Sequence, residues 1–99
     1  MSKPVSVKIK TSTRKEKKLM AIFILKNGRT KTIHFGAKGY SDFTIHKDIK
    51  RRDRYEARHI KREKWNKPMT AGALSKWVLW NKKTLSASIK DFKRRFKLK

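Results

Sequence analysis

Lysine and arginine account for 30 of the 99 residues, against 7 aspartates and glutamates, and this imbalance constrains the chain more than any other feature. A formal charge of +23 on so short a polypeptide opposes compaction, because like charges gathered into a small volume repel one another. The cations must stay at the surface, and a counter-charge is expected from a partner. They run from Lys3 to Lys99 instead of collecting in one tail, which suits a polyanion that touches the protein on several sides. Nucleic acid, an acidic membrane face and an acidic protein surface all meet that description.

The apolar share sets the second limit. Hydrophobic residues make up 36% and charged residues 37%, where ordinary domains have about 45–50% and about 25%. The core is therefore thin, with 5 Phe, 2 Tyr and 3 Trp as its main material, each able to bury roughly 150–250 Å². A chain of this length forms a single domain, 1–99. The absence of cysteine excludes disulfides and thiolate zinc fingers and reads as an intracellular product. The longest apolar run, 19–25, falls far short of the ~20 residues that span a bilayer. With no apolar secretory leader at the N-terminus either, a soluble protein is expected.

Val5, Val7 and Ile9 alternate with Ser6, Lys8 and Lys10, the two-residue period of a half-buried strand. Residues 11–17 carry no apolar side chain and read as a connection. The run 19–25 is short and rich in strand formers, and Asn27-Gly28 follows it at once. Asn-Gly between two strand-like segments predicts a hairpin closed by a type I′ turn, with both residues at positive φ. The returning strand, 29–35, places Thr30, Thr32 and His34 on one face and Lys31, Ile33 and Phe35 on the other.

Beyond Asp42 the period changes. Ile45, Ile49, Tyr55 and Ile60 among many charges predict a long polar helix over 47–64, capped by Asp48, with local ion pairs from Asp53, Glu56 and Glu63. Thr70 is placed to cap a further element, 71–80, whose Leu74, Trp77, Val78 and Trp80 form one apolar surface. A last amphipathic helix begins at Thr84, with Leu85, Ile89, Phe92 and Phe96 on one side and Lys90, Lys93, Arg94, Arg95 and Lys97 on the other. The terminal KRRFKLK is expected to stay mobile until it meets a partner, and the strand edge at 5–9 is expected to lie open to pairing. The predicted fold class is α+β: a three-stranded antiparallel β-meander over about 5–36, followed by two or three helices over about 45–97, in a single basic domain.

His34, His46 and His59 include no His-x-x-x-His pair that would set two ligands on one helical face, so structural or surface roles are expected. Asp42, His46 and Asp48, with Arg51 or Lys47 on a phosphate, would suit a Mg²⁺-dependent nuclease. Asp before a helix is more often a cap, and the nuclease is the weakest of the readings. Gly36-Ala37-Lys38-Gly39 lacks the Lys-Ser or Lys-Thr of a nucleotide-cradling loop and reads as a turn. No serine sits in a nucleophile elbow.

Cations interleaved with aromatics are more informative, because phosphates pair with Lys and Arg while bases stack on flat rings. Arg51, Arg52, Arg54, Arg58, Lys61, Arg62, Lys93, Arg94 and Arg95 are the expected phosphate contacts, and Tyr40, Tyr55 and Trp65 the candidate stacking residues. A basic amphipathic helix over 84–98 would also suit an anionic membrane face, but its apolar stripe is more simply the seal of a thin core.

In FGAKGYSDFTIHKD, RRDRYEARH and TAGALSKWVLWNKKTLSASIKDFKRRF the chain resembles a family of small basic proteins encoded by large double-stranded DNA viruses of algae and amoebae. The resemblance covers roughly Lys31 to Leu98. It rests on the Phe-Gly before Asp42-Phe43-Thr44, on Arg58-His59 and on Trp77-Val78-Leu79-Trp80-Asn81-Lys82. It implies a context, a virion or the cytoplasm or nucleus of an infected cell, and no catalytic residues to carry over.

The expectation is thus a non-enzymatic virion protein, needing no cofactor or metal. It binds nucleic acid, DNA before RNA, through phosphate contacts without sequence readout, in genome packaging or organisation. The alternative is a minor capsid (cement) protein on the inner face of the viral shell, with capsid proteins as partners. Oligomeric state is not readable from the sequence.

Overall fold

The computed structural model describes residues 3–61 and 64–99. Strands β1 (Pro4–Thr11), β2 (Lys17–Leu25) and β3 (Thr30–Ala37) form one antiparallel sheet in the order β1-β2-β3. Four short helices follow: α1 (Phe43–His46), α2 (Ile49–His59), α3 (Ala71–Leu74) and α4 (Leu85–Arg95), with a π-helical segment, Ser75–Leu79, continuing α3. The chain is an α+β single domain. Among the described residues no helix is long and apolar enough to cross a membrane.

The apolar run of β2 hides an alternation. Ala21, Phe23 and Leu25 are buried, and Leu19 packs against them, while Met20, Ile22 and Ile24 face the other way. The hairpin decides what those inward residues meet. Of Asn27 and Gly28 only Gly28 has positive φ, at 87°, so the turn is not type I′. Gly28 N–H donates to Leu25 C=O at 2.9 Å, and Leu25 N–H to Arg29 C=O at 2.8 Å. That is a three-residue loop closed by a glycine bulge. The extra loop residue sets Leu19 opposite Phe35 and Ala21 opposite Ile33, so the apolar faces of both strands coincide. A one-residue change in register would pair inward with outward residues.

The inner face of the sheet is sealed by Leu74, Val78, Leu79, Phe92 and Leu98, with Phe23 and Phe92 in edge contact at 6.4 Å between ring centroids. Gly36 lets the π segment come this close. Its φ is +80°, and a Cβ there would stand 2.7 Å from Leu79 Cδ1.

Three expectations need correction. The polar helix is shorter than 47–64: α1 is separate, and α2 ends at His59. Its isoleucines do not anchor it, since Ile45, Ile49 and Ile60 are 62%, 50% and 59% exposed, and Tyr55 alone is buried. The terminal KRRFKLK is docked. Lys97 adopts a left-handed φ of 55°, and Leu98 N–H donates back to Lys93 C=O at 2.7 Å, a Schellman-type ending that turns Leu98 into the core. Lys99 then bonds Val5 and Val7 of β1 at 3.1 and 3.0 Å, covering the first part of the 5–9 strand edge expected to be open.

Candidate nucleic-acid interface

Helix α2 is fixed at its start by local hydrogen bonds. The Asp48 carboxylate accepts from Lys50 N–H at 3.0 Å and Arg51 N–H at 3.4 Å, and His46 Nδ1 accepts from Asp48 N–H at 2.9 Å. At mid-length Tyr55 stacks on Trp80, with ring centroids 4.4 Å apart and planes 3° apart, and on His59 at 4.2 Å. With Tyr55 turned inward, the helical advance of ~100° per residue brings Arg51, Arg54 and Arg58 within about 60° of one another on an outer flank. They span about 10 Å along the axis, at ~1.5 Å per residue. All three are exposed, and none makes an ion pair or a side-chain hydrogen bond among the described residues.

The acidic residues explain why this stripe is unneutralised. Asp53 lies 3.8 Å from Arg52, and Glu56 takes the buried Lys76 ammonium at 2.6 Å. Asp42 caps α1, accepting from Thr44 N–H and hydroxyl, and pairs with Lys18 at 2.7 Å. Asp91 belongs to α4. Asp42 and Asp48, two members of the trio considered for a nuclease, are thus engaged as caps, and no group of three His, Asp or Glu side chains comes together among the described residues.

The stripe borders two concavities. One, of about 520 Å³, is formed by Arg51, Arg54, Ala57, Arg58 and Trp80. The other, of about 530 Å³, lies between the β3 exit and α2, where Lys17, Tyr40, Arg51, Arg58 and Trp80 meet. Tyr40 is 74% exposed, and among the described residues no aromatic ring stacks on it. The turn between Gly36 and Tyr40 is not a phosphate nest, because Lys38 N–H is spent on Glu16 C=O and Tyr40 N–H on Ala37 C=O.

The other expected contacts are placed differently. Arg52 points inward, donating to Asn81 C=O at 3.3 Å with its guanidinium 5.0 Å from the Phe43 ring centroid. Lys61 is exposed in the turn after α2, and Arg62 lies outside the described residues. Arg94 and Arg95 bind the buried Asp91 carboxylate at 2.6 and 3.2 Å, and Arg95 also stacks on Trp77 at 3.7 Å; Lys93 is half-buried. Trp65 lies on that second side, its carbonyl accepting the Trp77 indole N–H at 2.8 Å and its ring facing Lys76. Both faces of Tyr55 are taken, so of the three stacking candidates only Tyr40 presents an open ring beside the stripe.

Trp80 and Lys17 were not singled out. Trp80 read as core, part of one surface with Trp77. The π turn, with Trp80 N–H bonded to Ser75 C=O at 3.1 Å, advances less per residue than an α turn and separates the two indoles. Trp77 goes to α4 and Trp80 to α2. No signal for a π turn stands in the sequence.

His46 and Asp91 titrate away from their ordinary values. Burial lowers the pKa of His46, and nearby Arg51 lowers it further, against opposing effects of Asp48 and Asp42. Its Nδ1 acts as an acceptor and its buried Nε2 has no partner, the arrangement of a neutral ring beside Trp80, 5.2 Å away between ring centroids. Burial alone would raise the pKa of Asp91, but hydrogen bonds from Arg94, Asn81 and Arg95 outweigh it and the net shift is downward.

A family model matches residues 7–59. The chain belongs to the DUF5754 family. This is a family of unknown function. The DUF5754 match runs from β1 through the end of α2, so it takes in Tyr40 and the whole Arg51, Arg54, Arg58 stripe, while α3 and α4 lie beyond it. No curated protein and no solved structure matches the chain.

Proposed function

We propose that this DUF5754 protein is a non-enzymatic nucleic-acid-binding protein that grips phosphates with one flank of α2 and reads no sequence. The observation that carries the reading is the stripe of Arg51, Arg54 and Arg58, exposed and without ion-pair partners among the described residues, in a chain that pairs its other arginines of α2 and α4 internally. Exposed cations without internal partners are free to displace the counterions of a phosphate backbone, and the released ions drive binding. Guanidinium also suits phosphate oxygens geometrically, through paired N–H donors. A role in packaging or organising a viral genome is supported by the sequence resemblance alone.

The test is a titration of the protein against a labelled random-sequence duplex at several salt concentrations. Log K falls steeply with log salt. Replacing Arg51, Arg54 and Arg58 together by alanine reduces the slope by about 2.7, at ~0.9 per phosphate contact. An unchanged slope in the triple variant overturns the reading.

One observation favours the second reading, a minor capsid protein: the side chains of Met20, Ile22 and Ile24 on β2 turn away from the core, Met20 and Ile22 half-buried and Ile24 39% exposed. A partner protein seated there would be lost on Ile24→Asp, with nucleic-acid affinity unaffected. A cement protein also stays with shells that lack DNA.

A further inference from the structure

The cations of the α2 flank do not stand over a flat surface. Arg51 and Arg58 border both concavities, and Trp80 contributes to each. The second, of about 530 Å³, is also lined by the exposed Tyr40 and by Lys17. Its one acidic residue, Asp42, is already held by Lys18 at 2.7 Å. The lining of this open cleft therefore brings cations and aromatic rings together, in a volume within the range of ligand clefts.

Such a lining answers two parts of one ligand. Phosphates take the guanidinium groups, and a planar ring takes the aromatic side chains. A closed duplex offers the first without the second, because its bases are stacked on each other and hide their faces. An unpaired nucleotide offers both, and base-on-aromatic stacking with a cationic groove along the backbone is how proteins hold single strands without sequence preference. Gly36 and Gly39, both at positive φ, bend the chain so that Tyr40 stands clear of the sheet.

We propose that this cleft receives an unpaired base, stacked on Tyr40 against the Trp80 side of α2, while the phosphates flanking that base lie on Arg51 and Arg58. The protein then prefers single-stranded nucleic acid to duplex. The inference rests on the reading of the arginine stripe as a phosphate site and adds the substrate class to it.

The experiment compares the full chain, Tyr40→Ala and the Arg51, Arg54, Arg58 triple alanine variant on four labelled probes: oligothymidylate, oligouridylate, an abasic strand of equal length and charge, and a duplex. Tyr40 is exposed and outside the core, so Tyr40→Ala keeps the fold. The expected result is base-dependent binding: oligothymidylate or oligouridylate is held more tightly than the abasic strand. Tyr40→Ala removes about 5- to 150-fold of that affinity, as stacking is worth about 1–3 kcal/mol per base. The same variant leaves the abasic strand and the duplex unchanged. Equal binding of abasic and base-bearing strands of both kinds, indifferent to Tyr40, overturns the inference. If the triple variant still loses affinity for every probe in that case, the phosphate reading survives without it. A triple variant that binds as the wild type does sinks both.

Discussion

Helices α2 and α4 are both 11 residues long and both dense in arginine and lysine, yet the fold uses their cations in opposite ways. In α4 the sequence places Asp91 three and four residues before Arg94 and Arg95, and packing buries that carboxylate, so both guanidinium groups fold back onto it. Asn81 donates to the same carboxylate at 2.6 Å, and Arg95 lies over Trp77. In α2 the acidic side chains fall on the other flank, where Asp53 and Glu56 go to Arg52 and Lys76. The outer flank keeps three arginines that no carboxylate pairs among the described residues. Composition marks both helices as basic; only the position of the carboxylates distinguishes a cation that holds the fold from one left for a ligand.

The comparison breaks most directly on the arginines themselves. The triple alanine variant at 51, 54 and 58 is expected to lose about 100-fold or more in nucleic-acid affinity at physiological salt, at roughly 1 kcal/mol or more for each charge-assisted contact. It unfolds no earlier than the wild type, since like charges have been removed. If instead Arg94→Ala with Arg95→Ala gives the larger affinity loss, the assignment of roles is reversed.

Gly36→Ala tests the frame that holds Trp80 beside α2. A left-handed φ costs roughly 1–2 kcal/mol for a residue with Cβ, and the approach to Leu79 adds an overpacking penalty of about 1–3 kcal/mol. Chemical denaturation should show a loss of roughly 2–5 kcal/mol, with affinity lowered as well. Asp91→Ala acts on α4 alone. It strands the Asn81 amide and releases two arginines, so stability falls by about 1–3 kcal/mol in the same assay; the exposed Arg94 contributes little of that. Affinity for nucleic acid is kept or raised.

Acid should separate the two helices with the smallest effect at its first step. His46, beside α2, has a lowered pKa in the folded state, so its protonation favours the unfolded chain, and stability declines as pH falls below the ordinary 6.5. Asp91 has a lowered carboxyl pKa, so its contribution is intact above the ordinary 3.8 and is lost as pH falls below it. Thermal melts across pH should show a shallow loss below 6.5 that His46→Gln abolishes, then a second below 3.8 that Asp91→Asn abolishes. A single transition common to both variants would contradict the separation.

The features legible in the sequence are those decided within a turn or two of chain. Asp48 and Thr70 cap their helices as expected, and Thr84, read as the start of the last helix, is its cap, because a side-chain oxygen reaches the second or third N–H of the helix whatever lies around it. Val7 and Ile9 of β1 turn to the core as read, but Val5, where the strand register shifts, is 42% exposed; of the α4 stripe Ile89, Phe92 and Phe96 pack against the core while Leu85 is 37% exposed. Asn27-Gly28 gave the hairpin but not its loop, since the same dipeptide serves a two-residue turn and a bulged three-residue one. Of the site, the arginines were named as a group but not sorted, and Trp80 passed as core.

Local chemistry in the sequence determined the meander, the helix starts and a surface that must carry +23. Tertiary structure decided which cations are free. A carboxylate neutralises whatever the fold brings within ~4 Å of it, and those distances depend on contacts such as Lys76 with Glu56 and Lys18 with Asp42, 20 and 24 residues apart in the chain. The same holds for the two indoles, which are three residues apart in sequence yet are sent to different helices by one wide turn, beside the close approach of Leu79 to Gly36.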